Sequence, residues 1–259
     1  MTVLVAGGDS FTYGTELADC TPTQASELTW SAFLAHKLEM KYMCVAGPGW
    51  SNDAIARNVI TTVHRLLELD VTPVVAIMWS FPNRYEFLFE YDTLGKTTPW
   101  ESITPWTHER DQSVILDAFK NFVERNFDDY KKHQLQAQST GLANFSELFY
   151  KNVGNNETYA AYNSYSNIVQ VQNWLQKNNI QYVFTYVDNV IFKPKLRDDD
   201  LNCRVLYSSI DHDYFYHFQG FYNWASDNRH SFYSTHPGEG AHTDFVNKIF
   251  FEFVRSKIK

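Results

Sequence analysis

The sequence has little cysteine: Cys20, Cys44 and Cys203 lie far apart and without CxxC spacing. Neither a disulfide framework nor a zinc knuckle is indicated, and a reducing compartment is the default expectation. Long apolar runs are missing as well. The opening run, Val3 to Ala6, is too short for the core of a signal peptide, and no segment nears the roughly 18 apolar residues of a membrane span. The expectation is a cytoplasmic protein without membrane contact. There is no basic stretch either. With 22 Lys and Arg against 30 Asp and Glu the net charge is −8, which disfavours nucleic acid and anionic lipid as partners. Internal repeats and low-complexity tracts are also absent, so solenoids and linker-rich chains are set aside.

What is present suits a folded α/β chain. Apolar residues are 44% of the 259 and charged residues 20%, enough to bury a core and too apolar for a disordered chain. Aromatic residues reach 17%, more than a core of this size normally uses. The excess is read either as aromatic-rich packing or as a stacking platform for sugar rings.

Along the chain, Thr2 to Ala6 reads as a strand buried on both faces and stops at Gly7-Gly8. Leu28, Ala32, Ala35 and Leu38 recur at helical spacing, and Tyr42 to Ala46 is again short and apolar, ending at Gly47-Pro-Gly49. Ser51 or Asn52 can cap a helix with the stripe Ile55, Val59, Val63, Leu67, and Val74 to Trp79 reads as a third strand. The stretch from about 85 to 156 loses strands, with a helical-looking run from Asp111 to Gln136, and is read as a mainly helical insertion. The rhythm resumes with a helix from Glu157 to Lys177, a strand from Tyr182 to Val187, and a closing helix over the last 20 residues. The expected architecture is one domain spanning 1–259, with a parallel sheet flanked by helices on both faces.

In such a sheet, ligands bind at the carboxyl ends of the strands. The loops there carry, in chain order, Gly8-Asp-Ser10, Gly49-Trp-Ser-Asn52, Asn83 and His236-Pro237. Ester hydrolysis needs a hydroxyl nucleophile, a base, and donors aimed at the oxyanion. Ser10 can attack, His236 can act as base and then acid, and the amides of Ser10 and Gly49 with the Asn83 side chain can form the oxyanion hole.

On these residues the chain resembles the SGNH (GDSL-like) hydrolases, esterases and lipases of flavodoxin-like fold. Ser10 in Gly8-Asp-Ser-Phe-Thr-Tyr-Gly14 falls on the family nucleophile, Gly49 in Gly47-Pro-Gly-Trp-Ser-Asn52 on its oxyanion glycine, and His236 in Thr235-His-Pro-Gly-Glu-Gly-Ala-His242 on its base. The resemblance implies an acyl-enzyme route without metal or organic cofactor, acting on a small-molecule or carbohydrate ester. Two departures stand out. Met78-Trp-Ser-Phe-Pro-Asn-Arg84 offers Ser80 at the direct alignment of the family's oxyanion asparagine and Asn83 further on; it is similar to turns in some bacteriophage-type members, which leaves association with a virion open. The family's acid would fall on Tyr233, which cannot hold an imidazolium by charge. Asp227 is the nearest carboxylate before His236 and the candidate to replace it, against the alternative of an exposed loop residue beside Arg229.

Two other readings have sequence support, and a third does not. The missing acid and altered turn fit a binding or structural module that kept the fold and lost efficient catalysis. The acidic loop Asp198 to Asp200 with Asp211, His212, Asp213 and His217 could hold a cation, although its spacing matches no common ligand pattern, and a solvated loop is favoured. Gly7 to Gly14 follows a strand but lacks both GxGxxG and the P-loop Gly-Lys-Ser/Thr, so nucleotide binding is set aside.

Overall fold

The computed structural model describes residues 1–89, 100–109, 141–193, 200–216 and 218–258. Four strands, β1 (Thr2–Gly8), β2 (Lys41–Ala46), β3 (Thr72–Trp79) and β6 (Gln181–Tyr186), form a parallel sheet in the order β2-β1-β3-β6. The central strands β1 and β3 are apolar at nearly every position because both their faces are covered. Successive side chains alternate between two cores. Val3, Val5, Val75 and Ile77 join one, together with Ile55, Val59 and Val63 of helix α3 (Asn52–Glu68) and Ile168, Val171 and Leu175 of helix α4 (Glu157–Lys177). Leu4, Val74, Ala76 and Met78 join the other, with Trp30 and Leu34 of helix α2 (Trp30–Lys37) and with Phe245, Phe250 and Val254 of the closing helical segment. The arrangement is three-layered and flavodoxin-like, as the alternation of apolar runs and amphipathic stripes implied.

Capping explains where the helices start. Thr29 accepts from the N–H of Ala32, Ser51 from that of Ala54 and Asn156 from that of Tyr159, each satisfying a donor that the first helical turn leaves open. The closing segment is interrupted: α7 (Glu239–Phe245) passes through a π turn at Val246–Phe250 into α8 (Phe251–Lys257), with Lys248 on Asp244 at 2.6 Å.

The segment from 85 to 156, read as mainly helical and without strands, contains a pair of strands. Strands β4 (Tyr85–Leu88) and β5 (Trp100–Ile103) pair antiparallel, Tyr85 opposite Ile103 and Leu88 opposite Trp100. Tyr85 and Ile103 turn inward onto Tyr150 and Ala160, so each strand is a short alternating piece covered on one face, and four-residue pieces beside a Thr/Pro-rich stretch give little period to detect. Residues 141–149 are helical and lead into a π turn at Tyr150–Gly154. The expected helix from Asp111 to Gln136 lies outside the described residues.

Helix α3 packs tightly on the sheet at Gly7, where an added Cβ would stand 2.5 Å from Val59 Cγ2 and 3.1 Å from Ile77 Cγ1. Val59 is β-branched and stiff, so the helix itself would have to move. Gly7→Ala is therefore expected to cost about 1–3 kcal/mol in equilibrium urea unfolding. Gly240→Ala, in a helix with nothing within 4 Å of the new methyl, is expected to stabilise by about 0.4–1 kcal/mol.

Candidate active site

The loop after β1 is fixed by a buried carboxylate. Asp9 is fully buried; its Oδ1 accepts the N–H of Phe11 at 3.0 Å, while its Oδ2 accepts the Ser80 hydroxyl at 2.6 Å and Arg84 Nη1 at 2.8 Å. Three of its roughly four acceptor sites are thus taken by groups other than Ser10. The carboxylate caps the short helix α1 (Ser10–Tyr13) and ties the loop after β1 to the loop after β3. Ser10 is thereby presented at the sheet's carboxyl edge, only 5% exposed.

From the other end of the chain, residues 231–238 fold into a tight turn. Gly238 N–H donates to Ser231 O at 2.8 Å and Tyr233 N–H to His236 O at 3.1 Å. This places the His236 ring against Phe11, with centroids 4.8 Å apart, and His236 Nε2 at 2.8 Å from Ser10 Oγ. The other nitrogen, Nδ1, lies 3.3 Å from Glu16 Oε2 and 3.1 Å from Thr235 Oγ1. Glu16 is itself held: its carboxylate accepts the Ser234 N–H at 3.1 Å and the Ser234 hydroxyl. Partial burial works against the charge of Glu16, but the Ser234 bonds and neighbouring His236 outweigh it and bring its pKa down to about 2.

A cavity of about 740 Å³ opens on this pair, within the range of small-molecule sites. Gly49 lines it with φ of +77°, a left-handed conformation that favours glycine, and its N–H finds no acceptor among the described residues. Arg84 lines it too, its guanidinium carbon 4.7 Å from the Phe81 ring centre and 5.5 Å from that of Trp106. Part of the aromatic excess thus reaches the cavity, where Phe11, Phe81, Trp106 and Tyr222 are wall residues.

The structure brings Ser10, His236 and Gly49 together and leaves Asp227 and Asn83 elsewhere. Asp227 ends helix α6 (Phe221–Asp227), exposed, and accepts from Gln219 Nε2 at 2.5 Å, whereas the polar partners of the His236 ring are Ser10, Thr235 and Glu16. Glu16 occupies the place beside Nδ1, and sequence order gives no cue to it because it follows the nucleophile instead of preceding the base. Tyr233 is 55% exposed, with its hydroxyl 3.4 Å from Glu239. Asn83 lines a neighbouring chamber, and its carbonyl is held by the Tyr150 hydroxyl at 2.8 Å. Ser80 gives its hydroxyl to Asp9, and Asn52 braces it, with Asn52 Oδ1 accepting Ser80 N–H at 2.8 Å.

His242 is buried. Its Nδ1 accepts the Trp30 N–H at 3.1 Å at the start of α2, and burial, aided by His236, lowers its pKa to about 3, so it is neutral. Of the acidic-loop residues, Asp200 caps helix α5 (Leu201–Ser209) by accepting the Cys203 N–H, and Asp211 accepts the Asp213 N–H. Asp198, Asp199 and His217 lie outside the described residues, among which no group of three or more His, Cys, Asp or Glu could hold a metal. No helix among them is long and apolar enough to cross a membrane.

No family model and no curated protein matches the chain. Solved structures do: a psychrotrophic esterase EstA from Pseudoalteromonas sp. (TM-score 0.47, 11% identity, 98% of this chain and 97% of that one) and TesA (0.48, 11%, 100% and 98%). A carbohydrate esterase family 2 enzyme of Corynascus thermopiles (Myceliophthora fergusii), which also carries a carbohydrate-binding domain, gives 0.46 and 12% identity over 99% of this chain and 66% of that one. At these levels they carry no argument about chemistry, which rests on the geometry above.

The two lowered pKa values set the acid behaviour. Glu16 falls from 4.5 to about 2 on folding, so its contribution is full above about pH 4.5 and is lost as pH falls toward 2. His242 falls from 6.5 to about 3, so the unfolded chain takes up its proton first and stability declines from pH 6.5 downward. Chemical denaturation between pH 7 and 4.5 is expected to show stability falling by up to about 1.4 kcal/mol per pH unit for the single His242 proton. The slope is expected to flatten in His242→Gln; an unchanged slope would assign it to other groups.

Proposed function

We propose that the protein is a serine hydrolase of the SGNH (GDSL-like) kind that cleaves an ester through an acyl-enzyme on Ser10. The observation that carries this is the 2.8 Å contact between Ser10 Oγ and His236 Nε2, with a depressed-pKa carboxylate beside the opposite ring nitrogen. Glu16 favours the tautomer whose Nδ1 bears the proton, leaving Nε2 free to accept from Ser10. As Oγ forms its bond to the substrate carbonyl carbon, the proton passes to Nε2, and Glu16 stabilises the imidazolium by charge. The tetrahedral oxyanion is met by the N–H groups of Gly49 and Ser10. The carbon–oxygen bond to the alcohol then breaks, Nε2 returns the proton to the leaving oxygen, and water repeats the sequence to release the acid and regenerate Ser10. Nucleophile, base and orienting acid all come from the chain, so the route needs neither metal nor organic cofactor.

The rival reading, a binding module that lost catalysis, drew its support from the absence of an acid at Tyr233 and from the altered turn at 80–84. Glu16 beside His236 Nδ1 speaks against the first of these and leaves the second. The bacteriophage-type resemblance is supported by the Trp79-Ser-Phe-Pro-Asn-Arg84 turn alone.

A fluorophosphonate probe is expected to label Ser10 and to leave Ser10→Ala unlabelled. Glu16→Gln is expected to lower kcat on p-nitrophenyl acetate by up to about 10⁴-fold, the loss seen when a triad acid is neutralised, whereas Asp227→Asn stays within about twofold. Labelling of another serine, or full activity in Glu16→Gln, would refute the assignment.

A further inference from the structure

The cavity at Ser10 has a neighbour. Phe81 and Asp188 line it and also line a second chamber of about 560 Å³, so the two adjoin across these side chains. The rest of the second chamber mixes the two kinds of surface: Asn83, Asn155, Glu157 and Lys193 stand on its walls beside Pro82, Ala160 and Val190. Their bonding leaves much capacity open. Asn83 and Asn155 make no side-chain hydrogen bond to another described residue; the only bond at Asn83 there is the one its main-chain carbonyl accepts. Asp188 Oδ1 takes the Val190 N–H at 2.8 Å, while Lys193 Nζ sits 3.5 Å from Glu157 Oε1.

Such walls discriminate among the halves of an ester. A long hydrocarbon chain would strip water from two amides and two carboxylates without replacing the hydrogen bonds, which is costly for each group. An anionic group would meet two carboxylates against one ammonium. A neutral polyol meets neither objection: each hydroxyl both donates and accepts, matching amides that do both and carboxylates that accept. Phe81 adds an apolar face for the C–H side of a ring.

We propose that this chamber binds the alcohol half of the ester, and that this half is a neutral polyhydroxylated ring, a glycosyl unit, whose acylated oxygen points past Phe81 and Asp188 toward Ser10. The proposal rests on the reading of Ser10 as nucleophile. Asn83 becomes a specificity residue for the leaving alcohol and has no part in the oxyanion hole.

The test compares two substrates, p-nitrophenyl acetate and an acetylated xylo-oligosaccharide, with two variants, Asn83→Ala to remove hydrogen bonds and Asn155→Trp to fill the chamber. Both variants are expected to keep kcat/KM on p-nitrophenyl acetate within about twofold. On the oligosaccharide ester, Asn83→Ala is expected to lose roughly 3- to 10-fold, mainly in KM, as for one or two neutral hydrogen bonds, and Asn155→Trp to lose more. A loss shared by both substrates, or none on the oligosaccharide, overturns the subsite while leaving the esterase reading intact. Should the protein neither turn over p-nitrophenyl acetate nor accept fluorophosphonate, the esterase reading falls separately. The chamber is then judged by titrating Ser10→Ala with the same oligosaccharide and following tryptophan fluorescence: binding weakened by Asn155→Trp upholds it, and absence of binding refutes it.

Discussion

The site depends on one buried carboxylate. Asp9 sits where β1 ends, and its two oxygens receive a main-chain N–H, a hydroxyl and a guanidinium from the two adjacent strand ends. A charge with no exposure is tolerable only when paired and fully hydrogen-bonded, so these partners are obligatory to one another. Removing either member would strand the other in the interior at a cost of about 3–5 kcal/mol. The consequence is positional: the loop after β1 cannot shift without the loop after β3. Ser10 therefore starts α1 at one place relative to Arg84, Phe81 and the cavity they line.

Against this fixed partner the histidine is delivered by packing from the far end of the chain. His242 is neutral and joined to the first N–H of α2, so α7 is registered against the helix that packs on β2. The turn carrying His236 leads directly into α7, and the 2.8 Å contact with Ser10 follows from that registration. Ser10 and His236 are 226 residues apart in sequence, yet each is held by elements that pack on the same strand.

The sheet was legible because its strands are buried on both faces and its helices carry clear stripes; α4 begins and ends where the periodicity places it. Ser10, Gly49 and His236 were legible because strand ends define a shared edge and each falls in the loop that follows a strand or precedes the last helix. Asp227 misled for a physical reason: proximity in sequence to His236 is no guide once a helix end and a turn intervene. Asn83 misled because a turn after β3 offers several polar residues, and which one faces inward is decided by the hold of Tyr150 and of Asp9 on that turn, neither visible in sequence order. The β4–β5 pair was lost because its alternation is too short to distinguish from loop sequence.

Backbone conformation gives an independent argument for Glu16. Among the described residues five non-glycine positions have positive φ: Glu16, Glu39, Asp70, Asn179 and Arg229. Four of these directly follow the last residue of a helix cap, after Leu38, Leu69, Asn178 and Asn228, where a left-handed residue is the ordinary way for a helix to stop. Glu16 has no such excuse, since the left-handed stop of α1 is already taken by Gly14. Holding a side chain-bearing residue there costs of order 1 kcal/mol or more and persists only where the surroundings over-determine it. What over-determines it is the grip of its carboxylate on Ser234 and His236, across a gap of 218 residues to the former. The conformation turns Glu16 out of its own loop and onto the histidine, so the strain and the Glu16–His236 contact have the same cause.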